Sequence, residues 1–291
     1  MCKVRKSASN DKLFQIQLLP VNGVNLGVVQ YGDKNTACAT LVLLHGFTGS
    51  GLGWRHIMPD LAAPGLHIVA LDMLGHGQSD APADAERYSI EHCQEDLLAV
   101  LQVLGIERGE AILLGYSMGG RIALYSAFSG YFCALILESA SPGLVTFAER
   151  QQRRASDEAL ATRIEQDGIE AFVDYWEKIP LFTSQQQLST LQHEELRARR
   201  LNNRVQGLAN SLRGVGTGAQ PELYTRLSAL NLPILLLAGE LDSKFCVIAQ
   251  QMAAQLPQAR LYIIPGAGHT IHLEQPAAFV ARVNEFCATG F

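Results

Sequence analysis

The sequence has no apolar run of membrane-spanning length, no Cys-x-x-Cys pair and no surplus of positive charge. The first absence argues against a transmembrane helix. The six cysteines (Cys2, Cys38, Cys93, Cys133, Cys246 and Cys287) are scattered. That pattern argues against a zinc site or a disulfide framework and fits a reducing, cytoplasmic setting. The formal net charge of −5 speaks against a nucleic-acid partner. It leaves an anionic small molecule open, because a pocket can be basic in an acidic protein. What is present is an ordinary globular composition, 48% hydrophobic and 18% charged, over 291 residues. Such a chain can bury a sizeable core in one large domain or two small ones. The opening "MCKVRKSASNDK" is polar and basic, with no apolar segment behind it. It is expected to be a frayed tail, not a secretory signal.

Near-continuous apolar runs recur at Leu41–Leu44, His67–Leu71, Ile112–Leu114, Leu135–Leu137, Ile234–Leu237 and Leu261–Ile264. Runs of this kind suit strands covered on both faces. Helical spacing marks Ile90–Leu104, with Ser89 as N-cap and Gly105 as stop, and Arg121–Phe128, Phe245–Leu256 and Pro276–Cys287 also read as helices. Strand and helix alternate, which predicts a mainly parallel sheet with helices on both faces. Phe14–Leu19 and Val24–Tyr31, separated by a turn with Pro20, Asn22 and Gly23, predict an antiparallel hairpin at the sheet edge. The alternation breaks between Leu144 and Leu227, a polar stretch rich in Arg and Gln. It is expected to be a helical insertion over the C-terminal edge of the sheet. The implied division is a core over 1–143, a helical cap over 144–227 and a second core part over 228–291.

The chemistry centres on "AILLGYSMGGRIAL", in which G-x-S-x-G directly follows a predicted strand and opens a predicted helix. A turn that sharp leaves no room for side chains at Gly115 and Gly119, and it projects the Ser117 hydroxyl above the sheet. Asp242 follows a later strand in "LLLAGELDSKF", and His269 follows the next in "YIIPGAGHTIHLEQP". A neutral serine needs a histidine to take its proton and a carboxylate to orient the ring. The chain order Ser117, Asp242, His269, each after a strand, satisfies that need. In "LVLLHGFTGS" the loop after another strand can offer the Phe47 amide to a developing oxyanion, with the Met118 amide as second donor. "DMLGHGQSD" reads as structural turns, and His45 and His76 read as scaffold.

The stretches "LLHGFTGS", "GYSMGGRIAL", "ESASPGL" with "ERQQRR", "RRLNN" before "GLANSLRGVGTGAQPEL", "GELDSKF" and "GAGHTIHLEQP" resemble the α/β-hydrolase superfamily over nearly the whole chain. Within it, the sequence resembles the 2-succinyl-6-hydroxy-2,4-cyclohexadiene-1-carboxylate synthases of menaquinone biosynthesis. Arg121, the arginine-rich start of the insertion, "RRLNN" and Lys244 carry the narrower resemblance. It implies an α/β-hydrolase fold with a helical cap, a substrate with three carboxylates, and no metal or organic cofactor. A trianion needs several cations, and arginine grips a carboxylate with two parallel hydrogen bonds. Arg121 stands one turn beyond Ser117, while Arg150, Arg153 and Arg154 share one helix face. The family pattern implies Arg121, Arg153, Arg200 and Lys244 as substrate ligands, with Tyr116 and Trp176 as pocket walls.

The reaction so implied is a lyase step, in which a serine activated by His269 and Asp242 removes a proton beside the succinyl ketone and pyruvate leaves. Two rivals share the fold: a serine hydrolase of carboxylic esters or carbon–carbon bonds, and a non-catalytic receptor. The complete Ser-Asp-His set weighs against the receptor.

Overall fold

The computed structural model describes residues 14–288. The expectation for the N-terminal tail falls on residues outside that range. The order of elements is β1 (Phe14–Val21), β2 (Val24–Tyr31), β3 (Ala39–Leu44), α1 (Met58–Ala62), β4 (Leu66–Leu71), α2 (Ile90–Val103), β5 (Ala111–Tyr116), α3 (Met118–Ala127) and β6 (Ala134–Glu138). Then come α4 (Phe147–Trp176), α5 (Thr190–Leu201), α6 (Val205–Val215), β7 (Ile234–Gly239), α7 (Ser243–Ala253), β8 (Ala259–Ile264), α8 (Ile271–Glu274) and α9 (Pro276–Ala288). Eight strands form one sheet in the order β1-β2-β4-β3-β5-β6-β7-β8. From β4 to β8 every pairing is parallel, and β1 and β2 form the antiparallel edge.

The apolar runs do what continuous burial requires. Leu41–Leu44, Ile112–Leu114 and Ile234–Leu237 are almost wholly inaccessible. Alternate residues feed two cores, one on each face. Leu113 and Leu135 lie in the layer with α2 and α3, while Ile112 and Ile136 lie in the layer with α1 and α9. Burial stabilises these central strands by roughly 25 cal/mol per Å² of apolar area removed from water. The edge hairpin differs from its expected bounds: β1 runs through Pro20, which pairs opposite Asn25. An edge strand tolerates a residue that cannot donate to the ladder. Asn22 and Gly23 supply the positive-φ turn.

Ser89 caps α2 by accepting the His92 amide, and Gly105 ends it at φ 63°. Between β6 and β7 the structure is helical, as expected. Thr146 and Glu149 form a reciprocal capping box at the start of α4. Gly168 breaks α4 at φ 80°, ψ 177°, so the element is two helices in series. The apolar faces of α4 and α6 close on each other through Ala161, Ile164, Phe172, Leu208 and Leu212. The expectation of a helical insertion did not separate α5 from α6: α5 is polar over most of its length, although α6 carries a strongly amphipathic pattern.

Candidate active site

Strand β5 ends at Tyr116 and α3 begins at Met118, so Ser117 alone makes the turn. Helix α3 therefore starts three residues before the sequence reading placed it. Ser117 sits at φ 51°, ψ −107°, a strained conformation for a residue with a side chain. A Cβ on Gly115 would stand 2.2 Å from the Gly119 carbonyl oxygen, and one on Gly119 would stand 2.3 Å from that of Leu44. The glycines are thus a steric condition of the turn, as the motif requires.

The loops after β7 and β8 deliver the other two groups. His269 Nε2 lies 2.9 Å from Ser117 Oγ, and His269 Nδ1 lies 2.6 Å from Asp242 Oδ2. His269 is 1% exposed and Asp242 8%, so the imidazole is oriented in a nearly dry setting. Asp242 Oδ1 also caps α7 by accepting the Phe245 amide. The Phe245 ring stands edge-on to the imidazole at 4.6 Å and walls it from one side. Neither the Phe47 nor the Met118 amide has an acceptor among the described residues, and both residues line the cavity in front of Ser117.

That cavity has a volume of about 350 Å³. Ser117, His269, Tyr116 and Trp176 line it, and so do three expected cations, Arg121, Arg153 and Lys244. Arg121 is 8% exposed and donates to the Val215 carbonyl (2.8 Å) and to Gln220 (3.3 Å). It has no carboxylate at ion-pair distance among the described residues. Burial, and then the like charge of Arg153, push its pKa down to about 10. An anion in the cavity would relieve both effects. Arg153 is held by Asp157 at 2.7 Å. Its neighbours on the same helix face serve the backbone: Arg154 bonds the Gly218 carbonyl, and Arg150 bonds those of Leu144 and Val145.

Arg200 departs from the expectation. It does not line this cavity but an adjoining one of about 60 Å³, which shares Phe47, Tyr116 and Phe182 with the first. It is buried, donates to Gln185 (3.0 Å) and pairs with Glu177 (3.3 Å). The displacement has a local cause: Glu177, just after α4, and Gln185 take the two terminal nitrogens of the guanidinium, while its buried Nε has no partner among the described residues. Trp176 packs on Phe47 at 5.3 Å and completes an apolar wall. The sequence reading missed Asp157, Gln185 and Gln220, the partners of the arginines. Asp157, four residues after Arg153 on the same helix, is a readable local pair; Gln185 and Gln220, at separations of 15 and 99 positions, leave no local signature.

His45 and His76, read from the sequence as scaffold, are both buried. The neutral ring of His45 donates from Nδ1 to the Gly46 carbonyl and accepts the Met73 amide at Nε2. A proton at Nε2 would break that second bond. Burial lowers the pKa of His45 to about 4 and that of His76 to about 3. The unfolded chain therefore binds protons that the folded one refuses. Their stabilisation is complete above the unfolded value of 6.5 and declines as the pH falls towards 4 and 3. Each contributes about 1.4 kcal/mol per pH unit in that window. Urea denaturation should show a loss of several kcal/mol between pH 7 and pH 5. An unchanged unfolding free energy would contradict it.

Among the described residues no group of His, Cys, Asp and Glu side chains could hold a metal, and no helix is long and apolar enough to cross a membrane. A family model described as the alpha/beta hydrolase fold matches residues 39–276. The chain is 36% identical over 249 residues to 2-succinyl-6-hydroxy-2,4-cyclohexadiene-1-carboxylate synthase of Pectobacterium atrosepticum, covering 84% of this chain and 92% of that one. It is 45% identical over 268 residues to a Bacillus subtilis protein that carries the same name provisionally, covering 91% and 95%. Among solved structures, MenH from S. aureus superimposes with a TM-score of 0.85 at 35% identity, covering 90% of this chain and 98% of that one. An esterase of Thermogutta terrifontis superimposes at 0.81 with 24% identity and shares the fold.

Proposed function

Because the chain belongs to the α/β-hydrolase family and, within it, to the 2-succinyl-6-hydroxy-2,4-cyclohexadiene-1-carboxylate synthases, we propose a mechanism in which Ser117, His269 and Asp242 drive its lyase reaction. The enzyme eliminates pyruvate from 2-succinyl-5-enolpyruvyl-6-hydroxy-3-cyclohexene-1-carboxylate in menaquinone biosynthesis. The Ser117 hydroxyl gives its proton to His269 Nε2, across the 2.9 Å contact, as its oxygen takes the proton from the carbon beside the succinyl ketone. Asp242 holds the imidazole in the tautomer that accepts this proton and stabilises the imidazolium. The enolate oxygen is received by the Phe47 and Met118 amides. The electron pair then moves through the ring and breaks the bond to the enolpyruvyl oxygen. The leaving group departs as the pyruvate enolate and takes up the proton held by the His269 imidazolium; pyruvate is released, no water adds, and no acyl-enzyme forms.

The observation that supports this reading best is the cation set facing Ser117. Arg121 is a buried guanidinium without a carboxylate partner, with Arg153 and Lys244 in the same cavity. An ester hydrolase acting on neutral substrates would keep the buried Arg121 charge at a desolvation cost for no gain. We assign carboxylate binding to these three and give Tyr116 and Trp176 the role of walls. Arg200 joins them as a ligand only by leaving Glu177. Residues 144–227 act as a cap on the core formed by 1–143 and 228–291. The protein works in the cytoplasm on this small trianion, with no cofactor and no nucleic-acid or membrane partner. Purified protein given the enolpyruvyl cyclohexene substrate should produce pyruvate and the conjugated diene chromophore in equal amounts. Faster turnover of small neutral esters than of this substrate would overturn the reading in favour of a hydrolase.

A further inference from the structure

Glu138, the last residue of β6, is a fully buried carboxylate to which the mechanism above gives no part. Its backbone carbonyl accepts the Ser117 amide at 2.9 Å. Its carboxylate accepts the His272 amide at 3.0 Å, and His272 Nδ1 lies 2.9 Å from Oε1 and 2.8 Å from Oε2. His272 follows His269 by three residues and lies in the short helix α8. The segment between them is closed by Glu274, whose two oxygens accept the amides of Gly268 (2.6 Å) and Thr270 (3.1 Å) on either side of His269. The His272 ring is itself fixed, 4.2 Å from the Trp54 ring and edge-on to Tyr116 at 4.9 Å.

One residue thus holds both ends of the Ser117–His269 hydrogen bond, the serine through its backbone and the histidine loop through its side chain. Removing one partner of a buried hydrogen-bonded pair is costly, and the carboxylate also satisfies the His272 amide. The same contacts tie the His269 loop to the strand end that holds the Ser117 amide. Glu138 does not line the substrate cavity. We propose that Glu138 is a positioning residue that sets the His269 ring against Ser117 by anchoring His272. The proposal rests on the reading of Ser117 and His269 as reacting groups.

Glu138→Gln keeps the size but turns an amide N–H towards the donor on His272. A sub-ångström misplacement of a reacting group is enough to slow chemistry strongly. We expect kcat to fall by about 10- to 100-fold with KM within about twofold of wild type. The downfield proton resonance of the Asp242–His269 hydrogen bond should shift in the substrate-free variant. His272→Asn retains a side-chain N–H for Glu138 and should keep kcat within about threefold, whereas His272→Phe should lose as much as Glu138→Gln. If Glu138→Gln does not fold, the two His272 variants carry the test. Equal kcat in His272→Asn and His272→Phe, or a folded Glu138→Gln with wild-type kcat and an unmoved resonance, would overturn the proposal. Should wild-type protein release no pyruvate at all, the lyase reading fails, and the resonance alone still decides whether Glu138 positions His269.

Discussion

Ser117→Ala is expected to slow pyruvate release by about 10²- to 10⁴-fold, the span that a positioned proton-transfer group supplies. The loss should fall on kcat. The cations of the cavity stand on other side chains, so substrate affinity should stay within a few-fold of wild type. Thermal stability should not fall either, because alanine occupies the same strained φ of 51° and leaves His269 bound to Asp242. Steady-state kinetics, a binding isotherm and a melting curve together check this. Retention of a tenth of the wild-type rate would remove Ser117 from the proton path.

The second large effect concerns the facing guanidiniums. Arg153→Ala should lower kcat/KM for the trianion by about 30-fold, equivalent to ~2 kcal/mol for a lost charge-assisted hydrogen bond. Arg121→Met should cost at least as much, since Arg121 is the more buried cation and lacks a carboxylate partner. Arg121→Met also leaves the Val215 carbonyl and Gln220 without their donor, so its folding must be checked by its melting temperature. The two losses should not add, because the Arg153 charge acts on Arg121 across the cavity. Turnover of a small neutral ester should be no worse in either variant. Equal losses on both substrates would mean that the arginines support the fold and not the recognition of charge.

These contrasts follow from what was local in the sequence and what was not. The apolar runs, Ser89, Gly105 and the G-x-S-x-G turn are short-range signals, and each marks the element it should. The order of Ser117, Asp242 and His269 was legible because a parallel sheet gathers successive strand ends on one edge, and the structure brings those three within hydrogen-bond reach. The cations were legible as a set but not individually. A helical spacing puts Arg150, Arg153 and Arg154 on one face, yet only tertiary partners decide that Arg153 faces the cavity while the others bond carbonyls. Arg200 shows the same limit, since its guanidinium is captured by Glu177 and Gln185. The clamp through Glu138 and His272 joins positions 134 apart and has no signature short of the folded sheet.

The central claim is that Ser117 serves as a base and not as an acyl-forming nucleophile. Mass spectrometry of protein quenched rapidly during turnover tests this most directly. The account predicts that the peptide carrying Ser117 keeps its unmodified mass at every time point while pyruvate accumulates. A substrate-derived mass increase on Ser117 that forms and decays at the turnover rate would contradict it.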